Sequence, residues 1–204
     1  LGGGYKVSSG WEPLGPRGYY DTFGPELSLG RSLQKGLKDP IAIAKFTHSG
    51  SQIIDWTPEG SEAESRNLYP DFISFVEQSI EALRKEGNRV EIAAIFYHVG
   101  ENDMSYFPYR EQAAARVEAL MRASRKDLKA PELPWYVSQQ PPTEDEALNR
   151  SDVTAQLREL ADRDNHLHHI EAFDLPEQDR QLVLDTSAIV ALGELLAQAY
   201  LDRQ

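Results

Sequence analysis

The chain of 204 residues carries 33 acidic and 21 basic side chains, which gives a net charge of −12 and a pI near 4.9. Such an acidic excess repels phosphate backbones, so we expect no nucleic-acid partner. No apolar run approaches the roughly 20 residues that cross a bilayer, so we expect a soluble protein without a membrane partner, and the absence of cysteine excludes disulfides while leaving the compartment open.

The composition of residues 1–24 is typical of an irregular surface segment, because Gly and Pro are interspersed there with large aromatic side chains. The rings of Trp11, Tyr19, Tyr20 and Phe23 suit two roles. They either anchor the Gly-rich segment to the body of the domain, which we favour, or stack against sugar rings at the mouth of a pocket.

From Pro25 onward, helical and strand patterns alternate along the chain. Apolar residues at helical spacing predict the helices, and Gly87 is a stop signal. The predicted helices are 25–37, Tyr69–Glu86, Tyr109–Leu128, Asp152–Arg163 and Ala188–Leu201, and the predicted strands are Ile41–Phe46, Val90–Val99, Trp135–Ser138 and Leu167–Phe173. The alternation predicts an α/β fold in which helices cover both faces of a parallel sheet, and we expect residues 1–204 to form a single domain.

The long predicted helix Tyr109–Leu128 carries the one modest basic run of this acidic chain, Arg122–Lys126. Charged residues on a helix usually form its solvated face. We therefore interpret Arg110, Arg122 and Arg125 as solvent-exposed.

The predicted strand Val90–Val99 runs directly into the polar turn Gly100–Asp103. Open α/β sheets bind their ligands at the carboxyl ends of their strands. This turn, together with His98 near the end of the strand, is the candidate functional site.

Four segments of the chain carry a pattern that spans nearly its whole length. They are Phe23–Arg31, Lys45–Ser51 with Trp56, His98–Asp103, and Leu184–Thr186 followed by Ala191–Ala197. In this order and spacing they resemble the sialate O-acetylesterase-like group, also called carbohydrate esterase family six, within the SGNH hydrolase superfamily. The resemblance implies a three-layer sandwich with a parallel sheet, of the SGNH hydrolase (flavodoxin-like) type, and a serine ester hydrolase that removes O-acetyl groups from sugars.

In that family the nucleophile is a serine on a Gly-Gln-Ser-Asn turn after the first strand, and a histidine near the last helix is the general base. A serine hydroxyl needs such a base to attack an ester, and donors must hold the resulting oxyanion. The resemblance assigns two catalytic positions here. They are Gly50, whose backbone N–H would contribute to the oxyanion hole, and Asn102, whose side-chain amide would join it.

The chain departs from the family pattern in three places. No Gly-Gln-Ser-Asn segment occurs within residues 1–204, Val99 replaces the usual Gln before the glycine, and Val183 stands where the catalytic histidine is expected. A valine side chain neither accepts a proton nor donates a hydrogen bond. We therefore expect a carbohydrate O-acetylesterase scaffold whose catalysis is degenerate. The alternative is a non-catalytic carbohydrate-binding or assembly domain.

The missing nucleophile segment also bears on the sheet. In this fold the first strand lies centrally, and we expect it to be missing or replaced here. Without it, two apolar strands would have unpaired edges in the core. We expect either that a segment upstream of Leu1 belongs to the molecule or that residues Leu1–Val7 fill the gap.

Six further side chains near the candidate site are expected to contribute to substrate binding. His48, Ser49 and Ser51 form either a nucleophile and base pair or a hydrogen-bonded loop near the pocket, which we favour. His98 either replaces the lost base or is a core histidine satisfied by backbone carbonyls.

Glu101 and Asp103 complete the set of expected substrate-binding residues. A carboxylate pair suits glycoside hydrolysis, but we favour a role for Glu101 in bracing the loops. The neighbouring Asn102 also suits a turn with left-handed backbone geometry.

Three histidines in one short strand invite a metal-binding interpretation. His166 and His168 share one side of the strand and His169 follows, but zinc generally takes three or four ligands and no third ligand is evident nearby. We predict no metal and no cofactor. The expected partner is an acetylated carbohydrate or another small ester, and the oligomeric state stays open.

Overall fold

A computed structural model describes residues 8, 10–16, 22–62, 66–105, 107–141, 153–176 and 184–204. The described residues group into two compact units. The first draws on 1–45, 78–90 and 174–204, and the second on 46–77 and 91–173. The single domain remains a prediction.

The described residues contain seven helices and three strands, and each strand is followed by at least one helix. The helices are α1 (Glu26–Gly36), α2 (Ile53–Trp56), α3 (Tyr69–Lys85), α4 (Glu101–Ser105), α5 (Phe107–Asp127), α6 (Val153–Arg163) and α7 (Thr186–Leu201), and the strands are β1 (Ile95–Val99), β2 (Trp135–Gln139) and β3 (Leu167–Glu171). All five predicted helices are confirmed to within a few residues, whereas the short helices α2 and α4 were not predicted. None of the helices in the described ranges is long and apolar enough to cross a membrane.

Local chemistry explains several helix limits. The carboxylate of Asp185 accepts a hydrogen bond from the backbone N–H of Ala188 at 2.7 Å, which caps the start of α7. Gly87 follows α3 with a φ of +88°, a left-handed conformation that glycine adopts without steric cost and that commonly ends a helix.

The three strands form one parallel sheet in the order β1-β2-β3. Their registers run in step, so that all three carboxyl ends meet at one edge. This confirms the predicted α/β class with a parallel sheet. Among the described residues, β1 has a strand neighbour on one side only, and Leu1–Val7, which were expected to fill such a gap, lie outside those residues.

The predicted strand Ile41–Phe46 is wrong. This segment has no regular secondary structure, and Ile41 is 36% exposed. The strand predicted from Val90 is also too long, since β1 begins at Ile95. Both segments are apolar enough for a strand, but a strand needs a hydrogen-bonded neighbour along its length, and neither has one among the described residues.

In the first unit, α1 packs closely on α7. Gly193 lies so near α1 that a methyl group at its Cα would overlap the hydroxyl of Ser28 and the backbone carbonyl of Pro25. Leu29 and Leu33 of α1 and Leu192 of α7 are buried. The side chain of Trp11 donates to the backbone carbonyl of Ser79 at 2.9 Å, an arrangement of the anchoring kind that we favoured for this ring.

In the second unit, aromatic rings fill the core beside β1. The ring of Trp56 lies 5.6 Å from that of Phe46 and 6.5 Å from that of Tyr97, and the ring of Tyr97 lies 6.2 Å from that of Trp135. Edge-to-face and tilted contacts at these distances add stability beyond simple burial. This core fixes α2, and with it the loop that precedes α2, against the carboxyl half of β1.

Candidate functional site

The carboxyl edge of the sheet is where polar side chains of different elements meet. β1 ends in His98 and Val99, and Gly100 then leads directly into α4. β2 ends in Ser138 and Gln139. The site can therefore be built from two parts, which are the strand ends and the loop before α2.

At the strand ends, the ring of His98 lies between two polar side chains. Its Nδ1 is 2.8 Å from Oγ of Ser138, and its Nε2 is 3.3 Å from Oε1 of Gln140. Because an amide oxygen only accepts hydrogen bonds, Nε2 carries the proton, and the hydroxyl of Ser138 donates to Nδ1. This gives a chain of hydrogen bonds from Ser138 through His98 to Gln140.

Burial determines whether the ring of His98 is protonated. Ser138 and Gln140 are both 0% exposed. Burial lowers the pKa of His98 from 6.5 to about 4, against a smaller opposing effect of the hydrogen bond to Gln140. The imidazole is therefore neutral at pH 7. The His98 ring is therefore a weak base that its two hydrogen bonds hold in one tautomer. The neighbouring Val99 is completely buried.

The second part of the site is the loop of residues 48–52. Gly50 has a φ of +69°, which is the left-handed region that favours glycine. The hydroxyl of Ser51 donates to the backbone carbonyl of His48 at 2.9 Å and accepts from the indole N–H of Trp56 at 3.1 Å. Arg66 donates to the backbone carbonyl of Gly50 at 2.9 Å. These bonds fix the loop, although His48, Ser49 and Gly50 remain exposed.

Two side chains of α4 tie this loop to the end of β1. The amide of Asn102 donates to the backbone carbonyl of Ser51 at 3.3 Å. The carboxylate of Asp103 accepts the backbone N–H of Ile53, at 3.0 Å and 3.1 Å from its two oxygens. The sequence predicted bracing by Glu101, and the structure shows Asp103 in a bracing role.

Asp103 is 4% exposed, and its ionisation is correspondingly difficult. Burial raises the pKa of Asp103 from 3.8 to about 7, assisted by the carboxylates of Asp55 and Glu101 and opposed by the N–H of Ile53 and by Arg116. A carboxyl group in this state is half-charged near neutral pH.

The structure thus brings together some of the predicted residues. Ser51 meets Asn102, and Asp103 holds the start of α2 directly after the loop. Asn102 lies in α4 and does not have a left-handed backbone. His48 contacts the backbone oxygen of its neighbour Ser49 through Nδ1, at 3.1 Å.

Other predicted features fall outside the described residues or are not supported there. Val183 is outside the described residues, and so are Tyr19 and Tyr20. Among the residues that the structure describes, no group of three or more His, Asp or Glu side chains is arranged to hold a metal ion. His169, in the strand considered for metal binding, donates through Nε2 to Oε1 of Gln139 at 2.8 Å.

Sequence reasoning missed Ser138 and Gln140. The sequence did contain a signal, since Ser138 lies near the end of a predicted strand. Residues at equivalent positions of neighbouring parallel strands face the same side of the sheet. Finding the pair required the register that places Ser138 beside His98.

The chain resembles known proteins in both sequence and structure. A family model described as "Carbohydrate esterase, sialic acid-specific acetylesterase" matches residues 10–202. The X-ray structure of a protein from Arabidopsis thaliana is similar, with a TM-score of 0.66 and 25% sequence identity over 88% of this chain and 68% of that one. No curated protein matches the chain significantly.

Proposed function

The chain belongs to the sialic acid-specific acetylesterase family of carbohydrate esterases, and from that premise we propose that it binds O-acetylated sugars while hydrolysing them slowly or not at all. The observation that carries this proposal is the state of the serine and histidine pair at the sheet edge. Ser138 is completely buried, and the pKa of its partner His98 is lowered to about 4 by burial.

A hydrolytic site needs a nucleophile that a substrate can reach. Oγ of Ser138 has no exposed surface, so an ester carbonyl cannot approach it without rearrangement of the strand ends. The neutral imidazole of His98 is also poorly suited to take up a proton near pH 7, because a general base works best when its pKa lies near the working pH. The pair therefore supports a structural role.

Two aliphatic residues support the same conclusion. Val99 occupies the position where the family commonly has Gln, and Val183 occupies the position expected for the catalytic histidine. Neither side chain exchanges a proton or donates a hydrogen bond. Ester hydrolysis by the family's mechanism would then lack its general base and one hydrogen-bond donor to the oxyanion.

The groups suited to binding are retained. Gly50 is exposed in the loop, and Asn102 is partly exposed with one amide N–H directed to the carbonyl of Ser51. A backbone N–H and a side-chain amide are suitable donors for the carbonyl oxygen of an acetyl group. His48, Ser49, Ser51 and Glu101 are proposed to surround that ligand, while His98 and Asp103 support the strand end and the loop beneath it.

The test compares binding with turnover in the full-length protein. Saturation-transfer NMR should detect an O-acetylated hexose and give a weaker signal with the same sugar after deacetylation. Acetate release and hydrolysis of 4-nitrophenyl acetate should stay near the uncatalysed rates, and a serine-directed phosphonate should not label the protein. Turnover that is abolished by changing one serine would refute the proposed loss of catalysis.

A matched pair of variants assigns the binding site. Asn102→Ala should weaken binding of the acetylated sugar by about tenfold, because one hydrogen bond is worth about 1 kcal/mol and loss of the amide also loosens the loop. Asn88→Ala is the control, since Asn88 likewise donates one amide hydrogen bond to a backbone carbonyl, that of Leu83 at 3.1 Å. Equal effects of the two changes, or no binding by the unmodified protein, would favour an assembly domain instead.

A further inference from the structure

A cluster of positive charge lies at the carboxyl-terminal end of α5, in a protein whose net charge is −12. Arg122, Arg125, Lys126 and Lys129 are spaced at i, i+3, i+4 and i+7, so they share one face of the helix and of the turn after it. Together with Pro131 they line an open pocket of about 450 Å³. Like charges at this spacing repel one another, so the cluster needs a physical explanation.

Arg125 is the anchor of this basic pocket and is not the solvated residue that the sequence predicted; the same prediction is wrong for Arg110, which is 1% exposed. Arg125 is 8% exposed. Its guanidinium donates to the backbone carbonyl of Leu133 at 2.9 Å, to the carboxylate of Asp164 at 2.5 Å and to the backbone carbonyl of His166 at 2.9 Å. With its donors engaged in this way and its charge balanced by the carboxylate of Asp164, Arg125 holds the wall of the pocket in place.

The remaining cations are available to a ligand. Arg122 is paired with Glu118 at 2.5 Å, but its side chain is 74% exposed, so this surface pair exchanges readily with other anions. Lys126 and Lys129 are exposed. The pocket therefore presents two lysine ammonium groups and one exchangeable guanidinium.

Helix capping does not account for the two lysines. The last carbonyls of α5 already accept backbone hydrogen bonds: that of Ser124 from Leu128, that of Arg125 from Ala130 and that of Lys126 from Lys129. The lysines are therefore not needed to satisfy these groups. Their remaining role in the free protein is a weak interaction with the helix dipole.

The backbone at Lys129 adopts a conformation that a lysine does not favour. Lys129 has a φ of +56°, in the left-handed region where a glycine commonly ends a helix. A lysine bears a steric cost there that glycine would avoid. The chain thus keeps a charged side chain beside Lys126 where the local backbone favours a residue without one.

We propose that this basic pocket binds a single phosphate or sulfate group, either as the free anion or carried by a small sugar. The lysines supply concentrated point charges, which suit a tetrahedral dianion, while the planar fork of Arg125 that would recognise a carboxylate is already occupied. The overall charge of −12 opposes polyanions, so the ligand is small. The pocket is separate from the candidate site, since the 21 residues of α5 span about 30 Å between them.

The test titrates the full chain with inorganic phosphate and with sodium sulfate by calorimetry, against sodium chloride at matched ionic strength. The unmodified protein should bind phosphate, and the double variant Lys126→Gln, Lys129→Gln should bind it at least tenfold more weakly. The matched control is Lys35→Gln, Lys85→Gln, which removes the same charge from the last turns of α1 and α3. The control should bind phosphate as the unmodified protein does.

Two further measurements make the outcome specific. Lys129→Gly should weaken phosphate binding several-fold while raising the melting temperature, a combination that a purely structural lysine would not produce. A hexose phosphate that binds more tightly than inorganic phosphate identifies a sugar-borne group as the ligand, and the reverse order identifies the free anion. No phosphate binding beyond the chloride control, or equal loss in the two double variants, would overturn the proposal.

Discussion

Replacement of Asp103 by asparagine isolates the most strongly perturbed acid of the candidate site. Asparagine keeps an oxygen that can accept the N–H of Ile53, but it cannot ionise. Burial raises the pKa of Asp103 from 3.8 to about 7 in the folded protein, so the folded state holds this proton more tightly than the unfolded state. The carboxyl group therefore contributes most to stability below about pH 4, and that contribution is lost as the pH rises to about 7.

The expected magnitude follows from the size of the pKa change. A shift of about three units, at about 1.4 kcal/mol per unit, corresponds to about 4 kcal/mol in the free energy of unfolding. About 3 kcal/mol of this change falls between about pH 5 and pH 8.5. Asp103→Asn should therefore gain about 3 kcal/mol relative to the unmodified protein over that interval.

Urea unfolding followed by tryptophan fluorescence at the two pH values measures this difference directly. The control is Asp39→Asn, because Asp39 is an exposed carboxylate outside the site. The control should differ from the unmodified protein by the same small amount at both pH values. A stability difference for Asp103→Asn that does not change with pH would refute the idea that burial beneath the loop destabilises the charged form of Asp103.

Two other changes test the second part of the site and the packing of the helices. Burial lowers the pKa of His98 from 6.5 to about 4, so the folded protein resists protonation there and loses stability as the pH falls through that interval. His98→Gln should reduce this loss of stability at acid pH by about 3 kcal/mol in the same urea assay. An unchanged loss of stability would contradict the buried, neutral ring. Gly193→Ala should destabilise by about 1 to 3 kcal/mol or more, because the added methyl group overlaps Ser28 of α1 and the carbonyl of Pro25 directly before it. Gly15→Ala, with nothing within 4 Å of the new methyl group, should be near neutral. Similar thermal unfolding of both variants would contradict the close packing of α1 on α7.

The sequence was sufficient for the elements whose pattern is local. Helix α3 could be predicted because apolar residues recur at helical spacing up to Gly87, and α7 because apolar residues recur at the same spacing from Ala188. β2 and β3 were predicted from short apolar runs between turns. In each case, neighbouring residues determine the structure.

The failures of prediction concern interactions between distant residues. Ile41–Phe46 reads as a strand, yet hydrophobicity alone does not provide the neighbour that a strand requires. The contact between His98 and Ser138 depends on the register of two strands 40 residues apart. The pKa of Asp103 depends in turn on burial by residues that no local pattern identifies.

In the basic pocket, too, burial could not be predicted from the local sequence. Spacing in the sequence placed Arg122 and Arg125 on one helix but suggested that both were solvated. Only the carbonyls of Leu133 and His166, and the carboxylate of Asp164, reveal that Arg125 is a buried anchor.

The most direct test of the account measures binding and turnover of one O-acetylated sugar in the same sample of the full-length protein. Acetate release followed by NMR, with saturation transfer on the intact ligand, reports both properties together. The account predicts a bound acetylated sugar whose acetyl group persists at the uncatalysed rate. Rapid release of acetate, with covalent capture of a serine by a phosphonate inhibitor, would contradict it.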